Sequence, residues 1–200
     1  MTVPPEASRN KPAWRAELKR RLRERVANPD DAAALAARFI ARVPSARTVM
    51  LYAAAPEEAP TVGIVRALRE AGVSVALPVV LSGKDHAMDV FTVEHDDEVA
   101  PDRFGIAAPR PEFRHDARRV APERLDAVAV PGLGFDEATG VRLGRGAGYY
   151  DRFLLRCVNA DRIGVGFDEQ VVRGLPAEPH DLAVHAVVTP TRTLRFAPPK

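Results

Sequence analysis

The chain has 200 residues, enough for one domain with a substantial core, and its 46% hydrophobic and 28% charged residues are ordinary for a soluble globular protein. A net charge of +2 excludes a polyanion binder over its whole surface, and a single cysteine, Cys157, excludes an internal disulfide framework and fits a reducing compartment. No apolar run approaches a membrane span and residues 1–11 lack the apolar core of a signal peptide, so a cytoplasmic protein without a membrane partner is expected.

In chain order, Trp14, Leu18, Leu22 and Val26 recur every four residues and predict a helix with one apolar face. Residues 9–25 carry eight basic side chains against two acids, Glu17 and Glu24. They read as a solvated helix face; the rival reading, a nucleic-acid-binding module, lacks aromatics interleaved with the charge beyond Trp14. Asn28-Pro29-Asp30-Asp31 breaks this helix and caps the next, whose apolar stripe is Leu35, Phe39 and Ile40. Residues 48–53 predict a strand and residues 54–60 a loop. Thr61 then caps a helix ending at Gly72, and residues 73–80 predict a second strand. This alternation implies a parallel α/β core.

Ser82-Gly83-Lys84-Asp85 reads as a turn and residues 88–93 as a strand. Residues 96–123, rich in proline and charge, read as a long surface connection. Residues 125–130 return to the core, a helix covers 152–158, and the last strands are 162–167 and 183–189. Cys157 reads as a small buried hydrophobe of that helix. The expected organisation is a single domain, residues 1–200, with about 1–8 and 196–200 loose.

The segment between that core strand and helix is the most informative part of the chain. From Val130 to Asp151 it holds six glycines, two arginines, two tyrosines and two aspartates. A glycine-rich turn from strand to helix exposes backbone N–H groups at the positive end of a helix dipole. Arg142 and Arg145 add charge suited to phosphate. Asp151 can hold a hard cation such as magnesium. The residues therefore suggest a site for a phosphorylated ligand with a metal. The spacing is neither a P-loop nor a dinucleotide fingerprint, and a tight surface turn built on positive-φ glycines is the bland alternative.

The string Pro131-Gly132-Leu133-Gly134-Phe135-Asp136, followed by Arg142-Leu143-Gly144-Arg145-Gly146-Ala147-Gly148-Tyr149-Tyr150-Asp151, resembles the signature of the 5-formyltetrahydrofolate cyclo-ligases, or methenyltetrahydrofolate synthetases. Lys11, with Arg15 four residues later, is similar to that family's opening, whose two cations reach nucleotide phosphates. Glu58-Ala59-Pro60-Thr61 resembles the element whose glutamate contacts the pterin, and a carboxylate can accept two parallel hydrogen bonds from an aminopyrimidinone edge. Gly166-Phe167-Asp168-Glu169-Gln170 and Pro176-Ala177-Glu178-Pro179-His180-Asp181 match two more elements. The resemblance runs from Lys11 to about Thr189. It departs at Ala147, where relatives often carry glycine or lysine, and at His185, where many carry aspartate.

What the resemblance implies is a three-layer α-β-α sandwich around a mostly parallel, Rossmann-like sheet. It implies an enzyme, one that converts 5-formyltetrahydrofolate and ATP to 5,10-methenyltetrahydrofolate, ADP and phosphate. Lys11, Arg15, Arg142, Gly144, Arg145, Gly146, Gly148, Tyr149 and Tyr150 are then expected at ATP. Glu58, Arg145 and Tyr149 are expected at the folate, with Tyr150 equally placed as core. Arg145 and Asp151 are the expected catalytic residues, and Asp151 and Asp181 the Mg²⁺ ligands; His180 invites a metal or acid–base role, but one histidine alone makes no metal site, and it is read as positioning Asp181. The chain is expected to act as a monomer without nucleic acid. A diverged ATP-binding paralogue acting on another substrate is the alternative within the same fold.

Overall fold

The computed structural model of the chain describes residues 10–83, 87–102, 105–178 and 181–197. Two helices come first, α1 (Lys11–Glu24) and α2 (Asp31–Arg42). α1 begins where the Asn10 side chain accepts the Ala13 N–H at 2.9 Å, satisfying one orphan donor of the first turn. Its inner face buries Trp14, Leu18 and Leu22, but it stops at Glu24, and Val26, expected on the same stripe, is exposed. Arg25 turns extended and its guanidinium is bound to Asp31, while the Asn28 side chain accepts the Asp30 N–H at 3.0 Å in the turn that leads into α2.

The other elements are β1 (Thr48–Met50), α3 (Val62–Glu70), β2 (Ser74–Val80), β3 (Met88–Thr92), β4 (Val99–Pro101), β5 (Ala107–Pro109) and β6 (Ala127–Val130). They continue with β7 (Gly134–Asp136), β8 (Arg142–Leu143), α4 (Tyr149–Leu154), β9 (Asp161–Val165), β10 (Val171–Val172), β11 (Ala186–Val188) and β12 (Thr193–Arg195). The main sheet has the order β12-β11-β9-β6-β1-β2-β3. Its inner strands run parallel, while the edge strands β3 and β12 are antiparallel to their neighbours.

Side-chain alternation shows that both faces are covered. Val49, Leu51, Ala127, Ala129 and Ile163 join the core that holds α1, α2 and α3. Met50, Val128, Val130 and Val187 join a second core with Phe153 and Leu154 of α4. The result is the expected α-β-α sandwich around a mostly parallel sheet. β1 leads through α3 to β2 on one side, whereas β6 leads to β9 on the other. The carboxyl ends of β1 and β6 therefore flank the point where strand order reverses, the usual place for a ligand in an open α/β sheet.

The structure departs from the sequence reading in several places. Residues 96–123 contain the β4–β5 hairpin and single turns of 3₁₀ helix. Thr61 makes no side-chain cap; its hydroxyl donates to the Tyr52 carbonyl at 2.6 Å. The helix expected at 152–158 starts earlier and ends earlier, as α4, and its last turn tightens through Arg156 N–H to Phe153 O and Cys157 N–H to Leu154 O. Phe196 is tied down, packing on the second core and donating its N–H to His185 O at 2.9 Å. The rest of the loose-terminus expectation, residues 1–8 and 198–200, lies outside the described residues, as do Lys84 and Asp85 of the predicted turn.

Candidate active site

The glycine segment carries structure of its own. β7 and β8 form an antiparallel hairpin, and β10 adds to β7 in parallel. α1 lies across this small sheet at Gly134, where a Cβ would come within 2.6 Å of Leu18 Cδ1. Asp136, at the end of β7, is buried and accepts five hydrogen bonds. Oδ1 takes the N–H groups of Ala138 and Thr139 and the Thr139 hydroxyl, each at 3.0 Å. Oδ2 takes the N–H groups of Gly174 at 2.7 Å and Leu175 at 3.0 Å. Burial alone would push this carboxyl up, but the donors around it, Leu175 first, lower it below the ordinary value.

That carboxylate joins the hairpin to the arm leading to Glu178 and Asp181. A second tie is the bridge between Val141 and Ala183, with Val184 N–H donating to Gly140 O at 2.9 Å. A third is Gln170, buried, whose Nε2 donates to Gly132 O at 2.6 Å while its Oε1 accepts the Phe167 N–H at 2.7 Å. Asp136 and Gln170 were not singled out as site residues by the sequence, although both sit in quoted motif strings.

Together these ties shape a cavity of about 560 Å³. Lys11, Arg15, Arg142, Gly144, Gly146, Gly148, Asp151 and Asp181, all expected at the site, line it. Lys11 Nζ lies 2.7 Å from Asp181 Oδ2 and 3.0 Å from Glu178 Oε2. Burial works against the ammonium, but the two carboxylates outweigh it and hold Lys11 protonated. Arg142 is buried, donating to Pro131 O at 3.1 Å and to Asp151 Oδ1, with its guanidinium 5.7 Å from the Tyr150 ring centre. Arg15 Nε donates to Gly144 O at 3.0 Å.

Gly146 and Gly148 have φ of 107° and 74°, and at Gly148 a Cβ would lie 2.7 Å from Arg152 Nη1. The left-handed turn turns the loop into the start of α4 and needs glycine there. α4 has six residues, so the helix dipole expected from the sequence adds little, and the charge of the cavity comes from side chains.

Arg145, Glu58, Tyr149 and Tyr150 are not part of the cavity lining. Arg145 projects from the far side of the glycine loop, its Nε 3.2 Å from Glu58 Oε1 and its Nη1 3.5 Å from Glu57 Oε2. Glu58 Oε2 accepts the Ala55 N–H at 3.0 Å, so the loop after β1 presents this carboxylate in a fixed pose. Tyr149 packs against the second core. Tyr150 touches both cores; among the described residues its buried hydroxyl has no hydrogen-bond partner, and burial, reinforced by Glu58, pushes its pKa up. The glycine loop thus stands between a cationic cavity and the Glu58–Arg145 pair.

Asp151 and Asp181 face one cavity, each held by a cation, Arg142 or Lys11. Two carboxylates on one cavity with room for phosphate oxygens and water suit magnesium. Among the described residues, the side chains that converge closely enough for three protein ligands are elsewhere, Glu94, His95 and Glu98. His180 lies outside the described residues.

Of the two departures, Ala147 lines the cavity and its carbonyl accepts from Arg152 Nη1 at 3.3 Å. His185 lies at the amino ends of β9 and β11, opposite the site. Burial, then Arg162, lowers its pKa, and its Nδ1 is 3.1 Å from Asp161 Oδ1. Cys157 is buried with its thiol pushed up to about 12 by burial, the inert role expected of it.

A model of the 5-formyltetrahydrofolate cyclo-ligase family matches residues 7–190. The chain is similar to a 5-formyltetrahydrofolate cyclo-ligase of Mycolicibacterium smegmatis, 35% identical over 74% of this chain and 76% of that one. It is similar to the enzyme of the same name from Mus musculus, 30% identical over 87% and 90% of the two chains. Among solved structures it resembles Aquifex aeolicus 5,10-methenyltetrahydrofolate synthetase, with a TM-score of 0.75, 27% identity and coverage of 95% and 94%.

Proposed function

The chain belongs to the 5-formyltetrahydrofolate cyclo-ligase family, and we propose that its cavity holds ATP and that it converts 5-formyltetrahydrofolate to 5,10-methenyltetrahydrofolate with release of ADP and phosphate. The observation that carries this reading is the convergence of Lys11, Arg15, Arg142, the 144–148 loop, Asp151 and Asp181, from separate stretches of chain, on one cavity beside β8 and α4.

A formamide carbon is a poor electrophile and its oxygen a poor leaving group. Transfer of the γ-phosphoryl group to the formyl oxygen releases ADP and gives an imidate-like phosphate. The neighbouring folate amine then attacks the formyl carbon and loses its proton, the carbon–oxygen bond breaks, and phosphate departs as the five-membered ring closes. The substrate supplies its own nucleophile, so the protein's work is positioning and charge stabilisation. Lys11, Arg15 and Arg142 offer charge to the phosphates, and the amides of Gly144, Gly146 and Gly148 offer N–H donors. Bound Mg²⁺, held by Asp151 and Asp181, would neutralise phosphate charge.

Glu58 is our choice for the pterin edge, with Arg145 and Tyr149 beside the folate, and the transfer requires the formyl oxygen to meet the γ-phosphoryl group at the edge of the 144–148 loop. The ion pairs on α1 favour this over the nucleic-acid reading. Arg20 and Arg21 are bound to Glu17, whose carboxyl Arg20 and Arg21 lower to about 2, whereas Lys11 and Arg15 reach the cavity. The same reading makes the chain a monomeric single-domain enzyme of the cytoplasm. None of its described helices is long and apolar enough to cross a membrane. The test is an absorbance assay for the conjugated methenyl product. Signal should rise only with ATP, Mg²⁺ and 5-formyltetrahydrofolate together; a flat trace from folded protein at several ATP concentrations would favour the diverged paralogue.

A further inference from the structure

The charges around the cavity are not evenly compensated. Lys11 is bound to Asp181 and Glu178, and Arg142 to Asp151. Arg15 and Arg152 line the same cavity, yet among the described residues both bond only to backbone carbonyls. Arg15 Nε takes Gly144 O, at the start of the loop. Arg152 Nη1 takes Ala147 O at 3.3 Å and Gly148 O at 3.2 Å, at its end. Two guanidiniums that have no carboxylate partner among the described residues therefore straddle the 144–148 loop.

A guanidinium has five N–H donors in a planar fork. These contacts occupy one nitrogen of each arginine, and the remaining donors stay available to an anion in the cavity. Nothing in the sequence marks Arg152 beyond its place in the helix after the loop. We propose that Arg152 is a polyphosphate-binding residue of this enzyme, the counterpart of Arg15 on the opposite flank of the loop. Its bonds to Ala147 O and Gly148 O hold the fork in place before the nucleotide arrives, which lowers the ordering cost of binding. This inference rests on the assignment of ATP to the cavity.

The test is calorimetric titration of the full chain with ATP and with adenosine, for the wild type, Arg152→Gln, Arg152→Lys and Arg15→Ala, with melting temperatures recorded for each. Arg152→Gln keeps an N–H donor but loses the charge. It should weaken ATP about tenfold or more, a loss of about 1.4 kcal/mol, while leaving adenosine affinity and the KM for the folate unchanged. Arg152→Lys should recover most of the ATP affinity. Wild-type ATP affinity in a folded Arg152→Gln protein, or an equal loss for ATP and adenosine, would overturn the inference while leaving the cavity's assignment standing. Failure of the wild-type chain to bind ATP, or an Arg15→Ala protein with unchanged ATP affinity, would overturn that assignment and this inference with it.

Discussion

Replacing Asp136 by asparagine tests the scaffold on which the site is built. The carboxylate is buried and divides its five hydrogen bonds between two oxygens, three donors on Oδ1 and two on Oδ2. Every partner donates. An amide must turn its NH₂ toward one of the two sets, where it meets donors and accepts nothing. The less damaging orientation gives up Gly174 and Leu175, two bonds to a charged acceptor. At about 1.5–3 kcal/mol each, the loss is about 3–6 kcal/mol. For a chain of this size that corresponds to a fall in Tm of about 6–24 °C. Because Asp136 has a depressed folded pKa, its contribution is present above the ordinary aspartate value of 3.8 and is lost as pH falls through the folded value. The difference between wild type and Asp136→Asn, measured by urea unfolding, should be constant near neutral pH and shrink in acid. A difference below about 1 kcal/mol at pH 7, the range of an ordinary surface change, would refute the argument that this carboxylate ties the hairpin to the 174–181 arm.

Other substitutions separate the roles assigned around the cavity. Asp181→Asn should weaken the dependence of turnover on Mg²⁺ with little change in Tm, since Lys11 keeps Glu178; a wild-type magnesium titration would remove Asp181 from the metal assignment. Asp151→Asn should do the same but also lower stability, by about 1–3 kcal/mol, because the buried Arg142 loses its charged acceptor; unchanged unfolding and magnesium curves would defeat both roles. Glu58→Gln should raise the folate KM about tenfold, for a loss of about 1.4 kcal/mol, while the KM for ATP stays near wild type; equal losses would mean that Glu58 supports the loop and does not read the pterin. Arg15→Ala should raise the KM for ATP about tenfold to a hundredfold if charge-assisted contacts worth about 1.5–3 kcal/mol are lost. Arg20→Ala, whose side chain is paired with Glu17 and Glu24, should stay within about twofold of wild type. Similar effects from both would return α1 to a generic basic surface.

Much of this was legible in the residues. Apolar runs separated by helical periodicity gave the parallel sheet, because a strand buried on both faces must be apolar along its length, as Val128-Ala129-Val130 is. Trp14, Leu18 and Leu22 gave the buried face of α1 for the same reason. The motif strings named most of the cavity lining because glycine, arginine and aspartate at those positions serve the turn and the charge of the loop itself. The hairpin of β7 and β8 was missed because strands of two or three residues carry no measurable alternation. The extent of α4 was misjudged because Leu155 and Val158 extend the apolar pattern yet are exposed beyond its end. Partners were the least accessible. Nothing local shows that Arg145 reaches back 87 positions to Glu58, or that Arg142 is buried beneath the loop and not presented on it.

ATP is assigned to the cavity between Lys11, Arg15 and the 144–148 loop. A crystal structure of the chain with Mg²⁺ and a non-hydrolysable ATP analogue tests it most directly. Phosphate density is expected against the loop amides and the Lys11 and Arg15 side chains, with a metal between the phosphates and Asp151 and Asp181. Nucleotide bound anywhere else, with this cavity filled only by solvent, would contradict it.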